Sequence, residues 1–424
     1  MALRQNILDY LKKVRILRVP RWYDLPFMWE YVSYFENTNK DVTGTGSSLI
    51  SPEIAITKSF YELIERFSLS YLANNSLRLN FIGEHKKAII PYNILFKNID
   101  ENIINNPRLK NIIAFPKDKI TFIWGHDLLN KNKILIPVQL IYIHRQKETE
   151  KFIRESNSNG AAAGINLKHS LVNGILEVLE RDAFINYYLN EFWGEKLNLA
   201  KLPKIKNIVK KIKKYNLEIY SFHLPSDIKV FNIVTFVIDK SGLAPIINCG
   251  SSSGFDIEDC VLKSVEESLQ VLSWGRHIFL KNKKEERIDL DTLEGRALFW
   301  ADIKKLKLVY KWIQKSRQPR EVVSLIEKFK KLRLNNISRQ LNYLISEIKK
   351  QGYYIYYVDI THRKLKPLKV KVIKVIIPQL QWIYLGESYK YIDFDRIKKI
   401  REINNLKPYN VPIESLNKVP HFFL

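Results

Sequence analysis

The 424-residue chain has few of the residues that stabilise small secreted proteins, since its only cysteines are Cys249 and Cys260. Two cysteines cannot build a disulfide framework or a four-ligand zinc site. Each is more typical of a small buried hydrophobe than of a nucleophile. The 15 glycines and 16 prolines are too few for a fibrous or disordered chain. Because the chain has so few cysteines, a reducing cytoplasm is the expected location.

Several sequence signals of common protein classes are also missing. No apolar run reaches the length of about 18 residues that a membrane-spanning helix needs, so no transmembrane segment is expected. The first 22 residues carry charges throughout and lack the apolar core of a signal peptide. The histidines show no H-E-x-x-H spacing, and neither a Walker loop nor a Rossmann fingerprint occurs. Any nucleotide site in this chain must therefore be of an unusual type.

The formal charge of +25 has two interpretations that composition alone leaves open. A strongly basic protein can have an anionic partner, such as nucleic acid, a membrane surface or an acidic peptide. Alternatively, the chain uses lysine wherever a polar surface residue will serve. The basic residues are dispersed, and no nucleic-acid-binding motif accompanies them, so no nucleic-acid partner is expected.

The order of predicted elements indicates an α+β or mixed α/β fold rather than a doubly wound sheet. A hydrophobic content of 46% and the absence of a Gly/Ser/Pro-rich linker predict one large domain with mixed or antiparallel sheets packed against helices. Residues 280–350 have a mostly helical pattern. Strands are expected at 134–143, 229–238, 244–249, 353–359 and 370–377.

A small-residue loop followed by a capped helix occurs three times and forms an internal pseudo-repeat. Ser51, Asn166 and Asp256 are good helix N-caps, and Pro52 suits the first helical position. The units are loop 43–48 with a helix to about 74–75, loop 156–164 with a helix to about Leu189, and loop 250–254 with a helix to about His277.

Residues 62–66 (ELIER) and 177–181 (EVLER) are two copies of one helical motif. Its two glutamates, three positions apart, lie on one helix face. Glu267 and Gln270 hold the same places in the third helix. Either copy alone is typical of an exposed helix with a surface Glu–Arg pair at i, i+4. The repetition, with shared loops, caps and apolar neighbours, favours a function instead.

The chemistry that suits these residues is a magnesium–nucleotide site. Uncompensated burial of carboxylates is very costly, and Mg²⁺ compensates it while completing its shell with phosphate and water. Arginine offers a fixed fork of donors to phosphate, and backbone N–H groups at the helix starts can bind phosphate oxygens. The predicted metal ligands are Glu62, Glu65, Glu177 and Glu180.

The sequence resembles the YcaO family over roughly residues 42–424. The most specific match is SNGAAAG at 158–164 followed by NGILEVLERDA at 173–183. Residues 52–66 resemble the family's first motif, and 267–270 resemble the third. Shorter supporting matches lie at 124–128, 358–361 and 375–380.

The resemblance implies an enzyme that uses ATP and Mg²⁺ to activate backbone amides of a ribosomally made precursor peptide. Attack by a Cys, Ser or Thr side chain then gives a thiazoline or oxazoline. The implied organisation is an N-terminal extension at 1–42, a catalytic domain at 43–405 and a C-terminal tail at 406–424. The implied nucleotide contacts are Lys58, Glu62, Arg66, Ser158, Asn159, Asn173, Arg181, Glu267 and Gln270.

Two parts of the chain depart from the family pattern. Azoline-forming members often end in a proline-rich tail, and here the last residues are PHFFL at 420–424. The resemblance implies that Pro420, His421 and Leu424 reach the reacting amide, whereas the alternative is an apolar terminus docked on the body. Lys58 stands where the family usually has serine, and the loop at 44–48 lacks the common lysine. Either Lys58 supplies that charge, or the nucleotide site is impaired.

The resemblance also implies partners. The chain is too short to hold a ThiF-like leader-binding domain as well, so a separate ThiF-like protein is expected beside the precursor peptide. A flavin-dependent azoline dehydrogenase and a homodimer are compatible with this interpretation. Two alternatives remain: thioamide formation with a TfuA partner, and a catalytically weak scaffold of a peptide-modification complex.

Overall fold

Three antiparallel sheets and the helices that cover them form the part of the chain that the computed structural model describes. The described residues are 14–36, 42–70, 76–83, 85–143, 150–241, 245–281 and 288–421. The sheets have the strand orders β1-β2-β3, β11-β10-β9-β8 and β4-β5-β12-β13-β7, with β6 paired to β5. The strands are β1 (Val14–Arg18), β2 (Trp29–Phe35), β3 (Thr43–Ser48), β4 (Ser76–Leu79), β5 (Ile120–Asp127), β6 (Lys133–Pro137), β7 (Ala161–Gly164), β8 (Glu195–Lys196), β9 (Leu217–His223), β10 (Phe231–Asp239), β11 (Ile247–Gly254), β12 (Tyr356–Asp359) and β13 (Lys371–Ile376).

The helices follow the strands in the α+β arrangement that the sequence predicts. Residues 280–350 are mostly helical where they are described, as expected. The helices are α1 (Pro52–Leu69), α2 (Tyr92–Leu95), α3 (Ile99–Asn105), α4 (Arg108–Ile112), α5 (Leu167–Leu189), α6 (Pro203–Lys213), α7 (Ile257–Lys281), α8 (Leu293–Phe299), α9 (Leu306–Gln314), α10 (Glu321–Leu332), α11 (Ile337–Lys350) and α12 (Phe394–Ile403). Among the described residues, no helix is both long and apolar enough to cross a membrane.

The predicted repeat of three units is confirmed, and its members close into a ring. The units are β3 with α1, β7 with α5, and β11 with α7. Each helix packs on its own strand and also contacts the strand of another unit. Helix α1 contacts β7, α5 contacts β11, and α7 contacts β3. The three helix–strand units therefore surround a common centre.

The prediction that the small-residue segments of these units are loops is confirmed for 156–160 but wrong for 43–48, 161–164 and 250–254, which are strands. Their glycines allow the following helix to approach the strand backbone directly. A Cβ atom added to Gly44 would lie 2.1 Å from the carbonyl oxygen of Ser59, and one added to Gly250 would lie 2.3 Å from that of Ser264. Small residues that resemble a flexible loop in sequence are thus a requirement for close packing.

The predicted helix starts are confirmed by the observed caps. The side chains of Ser51, Asn166 and Asp256 each accept a hydrogen bond from a backbone N–H in the first turn of α1, α5 or α7. Helix α5 ends at Leu189 as predicted, whereas α1 ends at Leu69, earlier than expected.

The apolar segment at 134–143 is only partly a strand. Strand β6 ends at Pro137, and a single 3₁₀ turn follows at Val138–Leu140. Proline has no N–H to donate, so it favours the end of a ladder over its interior. The other predicted strands correspond to β10, β11, β12 and β13.

Two buried arginines fix the elements around the centre. Arg396 on α12 forms ion pairs with Asp182 at 2.6 Å and Asp227 at 2.8 Å. Because Asp182 follows Arg181 directly, this network holds the helix that carries the second glutamate motif. Arg276 on α7 pairs with Asp239 at 2.6 Å in the same way.

The segment predicted as an N-terminal extension contributes strands to the first unit. Strands β1 and β2 pair in sequence with β3. The backbone that carries Thr45 is therefore held in place by its pairing with β2.

Candidate functional site

A cavity of about 330 Å³ lies where α1, β7, α5 and α7 meet. The apolar part of its wall includes Leu69, Leu293, Ile383 and Leu385. The structure brings eight of the sequence-predicted site residues to this cavity: Glu62, Glu65, Arg66, Ser158, Asn159, Glu177, Arg181 and Glu267.

The glutamates of the first helix accept hydrogen bonds from the backbone of the small-residue strands. Glu62 Oε2 accepts from the N–H of Thr45, in its own unit, at 2.6 Å. Glu65, one turn further along α1, accepts from the N–H of Ala163 on β7 at 2.6 Å. The i, i+3 spacing thus lets one helix bind the strands of two units.

Helices α5 and α7 repeat this arrangement. Glu267 accepts from the N–H of Ser251 in its own unit at 2.6 Å. Glu180 accepts from the N–H of Ser253 on β11 at 3.1 Å and also from the hydroxyl of Ser251. The glutamate motif and the small-residue strands are therefore parts of one structure, which sequence spacing alone did not reveal.

Three of the cavity carboxyls have raised pKa values. Burial is the largest cause and raises the pKa of Glu65 well above 4.5, and those of Glu177 and Glu267 to about 7. The negative charge of Glu180 raises the last two further, while Arg181 opposes the shift. Burial thus favours the neutral form of these carboxyls, and a cation in the cavity would favour the charged form.

This arrangement of carboxyls fits a magnesium–nucleotide complex better than an all-protein metal cage. In the ranges that the structure describes, no three His, Cys, Asp or Glu side chains converge on one point. Mg²⁺ commonly takes one or two carboxylates and leaves its other positions to phosphate and water. Among the predicted metal ligands, Glu62, Glu65 and Glu177 line the cavity. The carboxylate of Glu62 is held by Thr45 and Arg66, and that of Glu180 by β11.

Both predicted arginines lie on the cavity wall beside carboxylates. Arg66 Nη2 is 2.5 Å from Glu62 Oε1. Arg181 lies between two carboxylates, with Nε 3.7 Å from Glu180 Oε1 and Nη2 3.9 Å from Glu267 Oε1. Guanidinium groups in these places suit the oxygens of a phosphate chain.

Lys374 on β13 is a site residue that the sequence analysis missed. It is 1% exposed, and its Nζ donates a hydrogen bond to the carbonyl oxygen of Asn157 at 2.6 Å. Burial lowers the pKa of its ammonium group to about 7, and the charge of Glu177 opposes that shift. The sequence held a signal, because Lys371 and Lys374 lie three apart in one strand and must face opposite sides.

Two predicted nucleotide contacts lie outside the cavity. The Nζ of Lys58 is 2.5 Å from Glu266 Oε2 and donates to the carbonyl oxygen of Ser47 at 2.9 Å. Glu266 is 2% exposed, so its charge requires a cation. Gln270 donates to the hydroxyl of Thr45 at 2.9 Å. Both side chains join α7 to the first unit instead of projecting into the cavity.

Asn173 and Glu180 also lie away from the cavity wall. Asn173 is exposed and lines a separate cleft of about 920 Å³. Glu180 faces β11, one turn beyond Leu176, which lines the same cleft. The face of α5 that carries the motif is therefore shared between two depressions.

The C-terminal tail is docked on the body by buried polar contacts. His421 is fully buried, and its ring lies edge-on to Tyr384 and Phe184. Its Nε2 is 2.6 Å from the carbonyl oxygen of Tyr384, and burial lowers the pKa of the imidazole well below 6.5. The carbonyl oxygen of Pro420 accepts from the hydroxyl of Tyr188 at 2.7 Å. Neither Pro420 nor His421 lines the cavity, and Leu424 lies outside the described residues.

The last described residue of the tail nevertheless lies close to the cavity wall. The carbonyl oxygen of His421 accepts from Arg296 Nη1 at 2.9 Å. Leu293, one turn before Arg296, lines the cavity, as do Ile383 and Leu385 on either side of Tyr384. The last described residue thus lies directly behind that wall.

Sequence comparisons identify a family for this chain. A family model described as "YcaO cyclodehydratase, ATP- and Mg²⁺-binding" matches residues 50–381. An uncharacterized protein of Methanothermobacter thermautotrophicus is 21% identical over 273 residues, which are 62% of this chain and 66% of that protein. The chain spans slightly less than two thirds of this relative.

Three solved structures have similar folds at low sequence identity. A heterocyclase in complex with substrate and cofactor has a TM-score of 0.77 at 14% identity, over 100% of this chain and 58% of that one. YcaO from Methanopyrus kandleri, bound with AMPPCP and Mg²⁺, has a TM-score of 0.63 at 15% identity, over 92% of both chains. The E. coli microcin synthetase McbBCD complex gives 0.60 at 14% identity, over 86% of this chain and 88% of that one.

Proposed function

Because the chain belongs to the YcaO family of ATP- and Mg²⁺-binding cyclodehydratases, we propose that it forms thiazoline or oxazoline rings in a ribosomally made peptide. A Cys, Ser or Thr side chain attacks the preceding backbone amide, and the amide oxygen leaves after activation. The observation that carries the proposal is the single cavity that combines three carboxyls of raised pKa with two arginines.

In this proposal, different residues of the cavity bind the cation, neutralise the phosphates and exclude water. Bound Mg–ATP would supply the phosphoryl group that turns the amide oxygen into a leaving group. Glu65 and Glu177 would hold the cation, because deprotonating buried carboxyls becomes favourable next to a positive ion, and Glu267 would border the bound nucleotide. Arg66 and Arg181 neutralise phosphate oxygens. The apolar wall excludes water, which strengthens each of these charge interactions.

Several neighbours of the cavity act by positioning it. Thr45 holds Glu62 and is itself held by Gln270. Lys374 interacts electrostatically with Glu177, whose negative charge favours the protonated form of the buried amine. Ser158 and Asn159 belong to the matched SNGAAAG segment and line the cavity beside these carboxylates. Asn173 lies one turn before Glu177 on α5, and we retain it as a proposed contact of the bound ligands.

The proposed partners are a precursor peptide and a ThiF-like protein that binds its leader. The similarity to a chain of a microcin synthetase complex, and to a heterocyclase of which this chain spans 58%, supports work within a larger assembly. A flavin-dependent dehydrogenase that oxidises azolines to azoles would complete it.

The test is a reconstitution of the chain with its co-encoded ThiF-like partner, the precursor peptide and Mg–ATP. Mass spectrometry should show the loss of one water per modified residue, matched by the release of phosphate. Glu177→Gln, which keeps shape but removes charge, should lower the rate by about 100-fold or more. Exchange of oxygen for sulfur in the presence of sulfide, or phosphate release that ignores the peptide, would contradict the proposal.

A further inference from the structure

A second depression, here called the α5–α7 cleft, lies beside the catalytic cavity and has a volume of about 920 Å³. Its floor includes Leu176, Phe255 and Phe329, and its rim carries cations from several elements. The cleft is considerably larger than the 330 Å³ cavity that holds the motif carboxylates. Clefts of this size and composition commonly bind organic ligands.

The register of the two helices places the cleft next to the motif glutamates. Asn173 and Leu176 line the cleft and precede Glu177 and Glu180 by four residues each. Residues four apart in a helix lie on one face, about 6 Å from each other along the axis. A ligand in the cleft therefore lies one helical turn from the proposed catalytic carboxylates.

Helix α7 and strand β11 give the same register independently. Lys263 lines the cleft and precedes Glu267 by four residues on α7. Ser253 lines the cleft and lies two residues from Ser251, on the same face of β11. Ser251 and Ser253 both donate to Glu180, so this motif carboxylate lies directly beside the cleft-lining part of β11.

The charges at the cleft favour an anionic ligand. Asp256, Glu258 and Asp259 also line it; Asp259 is paired with Lys204, whereas Asp256 and Glu258 accept backbone N–H hydrogen bonds and keep their charge. Four cations have no carboxylate within ion-pair distance among the residues that the structure describes: Lys201, Lys263, Lys330 and Arg333.

We propose that the α5–α7 cleft holds an extended stretch of the substrate peptide that bears an acidic side chain near the amide to be activated. This inference rests on the proposed function. The apolar floor suits peptide side chains, and the exposed carboxamide of Asn173 can both donate to and accept from a peptide backbone. The unpaired rim cations select acidic over basic sequences around the modified residue.

The experiment measures peptide binding to the full chain by fluorescence anisotropy. The probes are a fluorescein-labelled peptide of Gly, Ser and Cys with several aspartates, and a second peptide with lysines in place of the aspartates. The test variant is K330E/R333E, at exposed positions on the rim. The matched control is K210E/K211E, on the exposed face of α6, which changes the net charge by the same amount.

Wild type and K210E/K211E should bind the aspartate peptide about tenfold more tightly than the lysine peptide, and K330E/R333E should abolish or reverse that preference. Equal preference in both variants, or none in wild type, overturns the proposal. So does a loss of Mg–ATP affinity in K330E/R333E with peptide binding unchanged, because the cleft would then hold nucleotide. A preserved peptide preference without any loss of water under Mg–ATP would refute the proposed function and leave the cleft assignment standing.

Discussion

Burial raises the pKa of the Glu177 and Glu267 carboxyls, so a nearby cation would favour their charged form. Both have a pKa of about 7 in the folded chain against an ordinary value of 4.5. A carboxyl whose pKa is raised by folding adds stability that is complete below the unfolded value and is lost as pH rises through the folded value. Between these values, the two glutamates make the metal-free protein less stable as pH increases.

We therefore predict that the melting temperature of the metal-free chain falls between about pH 5 and about pH 8, and that E177Q/E267Q falls less. The amide side chains cannot ionise, so this part of the pH dependence should vanish. Thermal melts in a chelator, compared with a variant in which the exposed Glu101 and Glu327 are replaced by Gln, provide the measurement. Equal slopes in all three proteins would contradict the assignment of these carboxyls.

The sequence predicts the position of some site residues but not of others. The i, i+3 spacing and the following arginine placed Glu65, Glu177 and Arg181 at one site, because a helix has a fixed period. Lys374 was missed because a lysine in a strand is usually solvated. Its burial depends on the paired strand and on Asn157, which is 217 positions away.

At the scale of elements, short-range patterns predicted helices better than strands. Caps at Ser51, Asn166 and Asp256 require only local hydrogen bonds, and the structure has all of them. The small-residue segments have weak intrinsic β preference and become strands through pairing and through packing against a helix. That tertiary context is absent from a single sequence.

The Lys58–Glu266 pair joins α1 to α7, and its removal should separate a structural role from a nucleotide-binding one. K58M leaves Glu266 buried without its cation and should destabilise the fold by about 3 kcal/mol. K58M/E266Q should recover much of that loss, because the uncompensated charge is then absent. Chemical denaturation of both variants measures the free energy of unfolding.

The Michaelis constant for ATP provides the matching functional readout for Lys58. With the ammonium group held by Glu266 and Ser47, the folded K58M/E266Q variant should have a KM for ATP close to that of wild type. A large increase in KM for ATP in a variant of restored stability would show that Lys58 contacts the nucleotide. The K210M substitution, at an exposed lysine of α6, serves as a control for the loss of one positive charge.

At the scale of the whole molecule, three similar units create a site that no unit holds alone. The cavity takes Glu65 from the first unit, Glu177 from the second and Glu267 from the third. Helix α7 departs from the other two by carrying Gln270 at the second motif position and no arginine after it. This asymmetry concentrates the cavity carboxyls and arginines between α1 and α5, with α7 closing one side.

The C-terminal tail also packs against this site from a distant part of the sequence. Substitutions of His421 can show what the tail contributes. The imidazole is fully buried, and its pKa is held well below 6.5, so it stays neutral and packs as an aromatic ring. H421F keeps the ring packing and loses only the hydrogen bond to the Tyr384 carbonyl oxygen, which costs about 1 kcal/mol, so the tail should stay docked and most of the cyclodehydration rate should be retained. H421A should lose about 3 kcal/mol of packing and much of the activity, because the buried ring then no longer anchors the tail behind the cavity wall.

A proton-transfer role for His421 would give a different pattern. Both H421F and H421A would then lose activity by about 100-fold or more, since neither side chain can move a proton. Measuring kcat and the affinity for Mg–ATP in both variants separates the cases, because docking of the tail should leave nucleotide affinity near wild type. Retained activity in H421F with loss in H421A would establish that the tail acts through its anchored position.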